Sequence, residues 1–168
     1  MKTNIALIGF MGAGKTAVGE LLAERLGKKP VETDRLIEKR AGKSIPDIFS
    51  QDGEAAFRQL EVDVIGEVAG DKNQVIACGG GVVLNHINTD RLKEGAVVVY
   101  LTAPPEVILR RVLADTSVRP LLKSKNKEQT VRKLMRCRRP LYERAADIEI
   151  DTSELDIDEV AEHIIARL

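Results

Sequence analysis

The chain has 168 residues, 43% hydrophobic and 31% charged with no tryptophan, which fits a soluble globular α/β protein forming one domain, 1–168. Lys plus Arg equals Asp plus Glu at 26 each, so the molecule as a whole carries no bias toward nucleic acid or a membrane surface. The longest apolar run, Ala96 to Leu101, is far too short to span a bilayer, no signal-peptide pattern precedes the first strand, and two cysteines (Cys78, Cys137) provide neither a disulfide framework nor metal-ligand spacing. The expected setting is the cytoplasm.

In chain order, Asn4 to Ile8 is a short apolar run of buried-strand type, followed by Gly9-Phe10-Met11-Gly12-Ala13-Gly14-Lys15-Thr16. This is G-x-x-x-x-G-K-T, the Walker A phosphate-binding loop. Val18, Leu21, Leu22 and Leu26 then recur at helical spacing up to Gly27. Strand, glycine loop and helix thus follow in the order that phosphate binding needs. The backbone at Gly12, Ala13 and Gly14 curls its N–H groups into one concavity, and the first turn at Lys15, Thr16 and Ala17 adds the positive end of the helix dipole. Lys15 is placed to reach the β- and γ-phosphates, and the Thr16 hydroxyl to bind Mg²⁺.

Lys29 to Glu32 reads as a second strand, and Thr33-Asp34 opens a helix through about Gly42. Ser44-Ile45-Pro46-Asp47 starts another short helix, which Asp52-Gly53 breaks. Glu54 to Ala69 is a longer helix with Phe57, Leu60, Val64, Ile65 and Val68 on one face. Gln74 to Cys78 is a third strand running into Gly79-Gly80-Gly81; a helix around Asn88 to Glu94 and the strand Ala96 to Leu101 follow. Ala103-Pro104-Pro105-Glu106 leads into a helix through about Ala114. Residues 115–126 have no periodicity and read as a mobile loop. Glu128 to Ala145 is helical, with Pro140 forcing a kink or break. Ile148 to Ile150 is the last strand, and Asp156 to Glu159 a capping box opening the last helix.

Alternating strands and helices predict a three-layer α/β/α architecture around a five-stranded parallel sheet, a P-loop NTPase fold. Ligands collect at the carboxyl ends of such strands, so residues 9–16, 32–34 and 79–81 should converge on one cleft. The usual strand-end Asp of P-loop ATPases is replaced here by Cys78 and three glycines, and no guanine-reading N-K-x-D follows a strand. Acids come instead from Glu32 and Asp34. One of the two suits a water of the Mg²⁺ shell and the other orients an acceptor hydroxyl and takes its proton, unless Asp34 merely caps the next helix. Residues 110–144 carry twelve Lys or Arg against three acids. That stretch is a solvated face, a nucleic-acid surface or the arginine set of a phosphoryl-transfer enzyme. With Tyr142 its only aromatic, and Arg119 on an irregular loop, the third reading fits best.

These pieces together resemble the shikimate kinases, of the nucleoside-monophosphate-kinase-like P-loop group. The matching residues are Gly9 to Thr16, Thr33-Asp34, Ser44 to Phe49, Gly53-Glu54 with Phe57-Arg58, Gly79-Gly80-Gly81, Arg119-Pro120-Leu121-Leu122 and Arg138-Arg139-Pro140-Leu141-Tyr142. The resemblance implies ATP-dependent phosphorylation of the shikimate 3-hydroxyl, with Mg²⁺, by a monomer. It implies that Asp34 engages the reacting hydroxyl, and that Arg58 and Arg138 grip the shikimate carboxylate. Gly79, Gly80 and Gly81 would line the ring, Arg111 lie against adenine, Arg119 reach the phosphates from a lid at about 112–126, and Glu61 support the arginines. Glu32 departs from the Asp usual in the family, and Thr152-Ser153-Glu154 stands where a basic residue is usual. A gluconate- or nucleotide-directed kinase and a catalytically silent nucleotide-binding module are the alternatives.

Overall fold

Five segments form strands: β1 (Asn4–Ile8), β2 (Lys29–Glu32), β3 (Gln74–Ala77), β4 (Ala96–Thr102) and β5 (Ile148–Asp151). The computed structural model describes residues 1–115, 122 and 126–168. Every strand pair is parallel, in the order β2-β3-β1-β4-β5. The order explains the composition of each strand. Central β1 and β3 are buried along their whole length, whereas the edge strands β2 and β5 are largely exposed or half-buried and carry the charged residues. Pro30 sits on edge strand β2, where a missing ladder N–H is tolerated.

Eight helices among the described residues cover the sheet: α1 (Lys15–Leu26), α2 (Thr33–Ala41), α3 (Ile45–Gln51), α4 (Glu54–Gly70), α5 (His86–Gly95), α6 (Pro105–Ala114), α7 (Lys127–Ala145) and α8 (Ile157–Ile165). Local chemistry sets several boundaries. Ser44 accepts from the Asp47 N–H to cap α3, and Asp156 and Glu159 form the reciprocal capping box of α8. The buried apolar side chains form one contiguous cluster, from Ile5, Leu7 and Ile8 of β1 to Ile108, Val131 and Ile164.

Two expectations need correction, and one element went unread. Of the kink or break expected at Pro140, the break does not occur: α7 runs continuously through it. Arg138 and Tyr142 are buried on either side of it, and that packing outweighs the lost hydrogen bond. Strand β3 ends at Ala77, and Cys78 lies just beyond it, buried. A 3₁₀ turn at Val82–Leu84, absent from the sequence reading, carries the glycine run into α5, which Asn85 caps. Of the lid expected at about 112–126, residues 112–114 end α6; most of the remainder, Arg119 included, lies outside the described residues.

Candidate active site

The loop from Gly9 to Gly14 joins β1 to α1. Gly9 has φ +150°, and a β-carbon there would collide with the carbonyl oxygen of Leu101 on β4. Only glycine lets the loop close against its neighbouring strand. Helix α1 starts with no side-chain cap and no acidic residue in its first turn. Its leading N–H groups and dipole therefore face an anion site without a competing carboxylate of their own. Lys15 curls back over the loop, its Nζ donating to the carbonyls of Gly9 (2.6 Å) and Phe10 (3.0 Å). Thr16 and Ala17 are exposed on the first turn.

A cavity of about 440 Å³ opens at this turn, lined by Gly12, Gly14, Lys15, Thr16 and Ala17 of the loop and helix, Glu32 and Asp34 after β2, and Gly79 and Gly80 after β3. The three strand ends therefore converge as expected. Asp34 does not cap α2, whose N-cap is Glu32. Its Oδ1 is buried with no hydrogen bond. Burial raises the Asp34 carboxyl above the ordinary carboxylate range; the Lys15 charge pulls it down, and Glu32 and Glu38 push it up. The other acid, Glu32, lies with Oε2 3.0 Å from Arg35 Nε, one turn on.

Across the glycine run sit the arginines. The Arg58 guanidinium bonds Glu61 Oε1 (3.1 Å) and Glu54 Oε1 (3.3 Å) and lies 5.0 Å from the centre of the Phe57 ring. Glu61 is 1% exposed and its Oε2 has no hydrogen bond. Burial carries its pKa up to about 7 against the pull of Arg58. Arg138 is buried on α7, 5.8 Å from the centre of the Phe10 ring. A β-carbon on Gly81 would run into the Arg58 guanidinium, and one on Gly80 would come within 3.6 Å of Arg138 Nη1. Arg58, Arg138 and the glycine run are thus brought together from three separate parts of the chain.

Two hydroxyls that the sequence did not single out for this purpose hold the glycine run. Thr33 Oγ1 accepts from the Gly79 N–H (3.1 Å), and the Tyr142 hydroxyl donates to the Gly80 carbonyl. Both residues fall inside matching segments, between or beside charged site residues, which was the only signal for them. Arg111 Nη1 donates to the Gly12 carbonyl (3.3 Å) and to Thr152 Oγ1 (3.1 Å), and its Nη2 to the Thr152 carbonyl (3.1 Å). It therefore joins the phosphate loop to the segment after β5. Arg119 cannot be placed, lying outside the described residues.

Residues 11–168 match the family model described as shikimate kinase. The chain belongs to the shikimate kinase family. It is 49% identical over 162 residues to the shikimate kinase of Thermodesulfovibrio yellowstonii, covering 96% of this chain and 92% of that one. It is 47% identical over 162 residues to the shikimate kinase of Caldanaerobacter subterraneus subsp. tengcongensis, covering 96% and 94%. The structure of shikimate kinase from Acinetobacter baumannii in complex with shikimate superposes with a TM-score of 0.94 at 41% identity, covering 99% of this chain and 93% of that one. The P-loop NTPase fold and the small-molecule kinase class read from the sequence both stand for this shikimate kinase family member. Neither a gluconate- or nucleotide-directed kinase nor a silent module is favoured.

Proposed function

We infer that the chain is an ATP-dependent shikimate kinase that transfers the γ-phosphoryl group of ATP to the shikimate 3-hydroxyl in one direct in-line step. The observation that carries this reading is Asp34. Its buried Oδ1 has no hydrogen bond and shares one cavity with Lys15 and the uncapped start of α1. That arrangement sets a carboxylate that needs a donor beside an anion site that needs a phosphate. Asp34 accepts the 3-hydroxyl's hydrogen bond, and its raised pKa suits it to take the proton as the new O–P bond forms. The bond from the γ-phosphorus to the β–γ bridging oxygen breaks, and ADP leaves. No phosphoenzyme is required.

Lys15 exchanges its loop carbonyls for the β- and γ-phosphate oxygens, a short move because Nζ already lies over the loop. Gly12 to Gly14 and the first turn through Ala17 hold the phosphates, to which Arg119 adds charge, and Arg111 flanks the adenine. Arg58 and Arg138 hold the shikimate carboxylate as forks while Gly79, Gly80 and Gly81 admit the ring to close range.

The residues present fit Mg²⁺. Thr16 and Glu32 line the same cavity, and among the described residues no group of three or more His, Cys, Asp or Glu side chains forms a metal cage. A cation that keeps water and phosphate ligands needs only such sparse protein contact. Thr16 would hold it directly and Glu32 through water, and it would neutralise charge on the triphosphate. On the sequence reading, the chain acts as a single domain and a monomer in the cytoplasm. Among the described residues no helix is long and apolar enough to cross a membrane.

The test is ADP release with Mg·ATP and, in turn, shikimate, gluconate, nucleoside monophosphates or no acceptor. Turnover with shikimate alone is expected. Equal turnover with another acceptor would overturn the substrate, and ATP binding without turnover would return the silent module.

A further inference from the structure

Arg138 and Tyr142 are four residues apart on α7 and so share one helix face. Both are buried there, at 3% and 1% exposure. The Tyr142 ring stacks on Tyr100 of β4, with centroids 5.0 Å apart and planes 23° from parallel. That contact fixes where the phenol points. It points at the glycine run, where its hydroxyl donates to the carbonyl of Gly80, 62 residues away in sequence. A β-carbon on Gly80 would also lie 3.6 Å from Arg138 Nη1. One hydroxyl therefore ties the helix that carries a buried guanidinium to the loop that this guanidinium faces.

An arginine side chain has several rotatable bonds, and ordering it costs conformational entropy. A guanidinium that is to meet a carboxylate as a planar fork must have its backbone set to within about 0.5 Å. Hydrogen bonds such as Arg132 to Glu106 and Lys93 to the Arg144 carbonyl also tie α7 to its neighbours, but they are exposed and resist a small slide of the helix only weakly. The hydroxyl–carbonyl bond opposes that movement, because a shift of α7 would leave the Gly80 carbonyl and a buried phenol unpaired.

We propose that Tyr142 is a positioning residue for the acceptor: through its bond to Gly80 it sets the register of Arg138 against the glycine run that receives the shikimate ring. The proposal rests on Arg138 holding the substrate carboxylate, as argued above. Burial raises the Tyr142 phenol above its ordinary range, against the pull of the Arg138 charge and of a side-chain hydrogen bond with Arg138.

Tyr142→Phe keeps the ring and its stacking on Tyr100 and removes one oxygen. The expected result is a shikimate KM raised about tenfold, with kcat and the KM for ATP within about threefold of the parent. A general loosening of the fold would move all three constants. Arg138→Lys tests the reading beneath the proposal and should raise the shikimate KM by itself. In the Arg138→Lys background, Tyr142→Phe should add less than about twofold, since the tether then has no fork to aim. Full multiplication of the two effects overturns the proposal, as does an unchanged shikimate KM in Tyr142→Phe when Arg138→Lys raises it. An unchanged KM in Arg138→Lys overturns the carboxylate reading and the proposal with it.

A second measurement does not depend on Tyr142→Phe folding. The chain has only two tyrosines, so protein labelled with 3-fluorotyrosine shows two fluorine resonances, which Tyr100→Phe assigns. Shikimate should move the Tyr142 resonance and Mg·ATP alone should leave it. A Tyr142 resonance indifferent to saturating shikimate overturns the proposal.

Discussion

Asp34 Oδ1 and Glu61 Oε2 converge on Gly79 from two different helices: a β-carbon on that glycine would sit 2.7 Å from the first and 3.2 Å from the second. Neither oxygen has a hydrogen-bond partner, although both are buried. Two acidic oxygens thus share one small space that stays open because position 79 has no side chain. Gly79 does not have a positive φ, so an alanine would strain nothing in the backbone. The whole consequence of Gly79→Ala falls on the carboxylates. We expect kcat/KM for shikimate to fall roughly 100-fold, the scale for a misplacement of about 1 Å, with the KM for ATP nearly unchanged. Steady-state kinetics decide it, and a variant with parental kcat/KM would show that the two oxygens are not held as described.

Asp34→Asn keeps the shape of the side chain and removes its ability to take a proton. Turnover should drop roughly 100-fold or more, the usual scale for loss of a general base, while ATP binding by calorimetry stays near the parent value. Near-parental turnover would leave Asp34 with no role as base or orienter.

Glu61 gives a pH dependence whose sign follows from its burial. Its pKa rises from 4.5 to about 7 on folding, so between those values the folded state binds more protons than the unfolded one. The contribution of this group to stability is complete below about pH 4.5 and is lost as pH rises through 7, by no more than roughly 3 kcal/mol. Glu61→Gln lacks this loss. Denaturant unfolding should therefore show the variant gaining on the parent between pH 5 and pH 7.5. Parallel stability profiles would mean that Arg58 keeps Glu61 ionised throughout.

Arg111 joins Gly12 of the phosphate loop to Thr152 after β5. Arg111→Ala breaks that link and uncovers the expected adenine position. The KM for ATP should rise about tenfold, the loss of hydrogen bonds from a charged group, and the KM for shikimate should change less than about twofold. A selective effect on shikimate instead would move Arg111 to the other end of the cleft.

The parts of this protein that are legible in sequence are those whose chemistry is local. Gly9 to Thr16 is a contiguous stretch, and its fixed spacing already dictates a turn, an open helix start and a lysine over the loop. The apolar strands and the capping box at Asp156 and Glu159 are equally local, and from their alternation the parallel sheet follows. Pro140 marks where local reasoning leaves a choice open. Its intrinsic cost allows a kink or a break, and α7 continues without a break, with Arg138 and Tyr142 buried on either side.

By itself, then, the sequence determined the Walker A loop between β1 and α1, the order of strands and helices along the chain, and the family, since each depends on residues read along the chain. Only the tertiary structure decided which acid and which arginines share a space, and what holds them. Asp34, Glu61, Arg58, Arg138 and the glycine run meet across separate elements. The Thr33 and Tyr142 hydroxyls that secure that run act over 46 and 62 residues. Such bonds have no sequence period to betray them. They exist because a buried backbone N–H or carbonyl must find a partner, and in this fold the nearest partner is a side chain from a distant part of the chain.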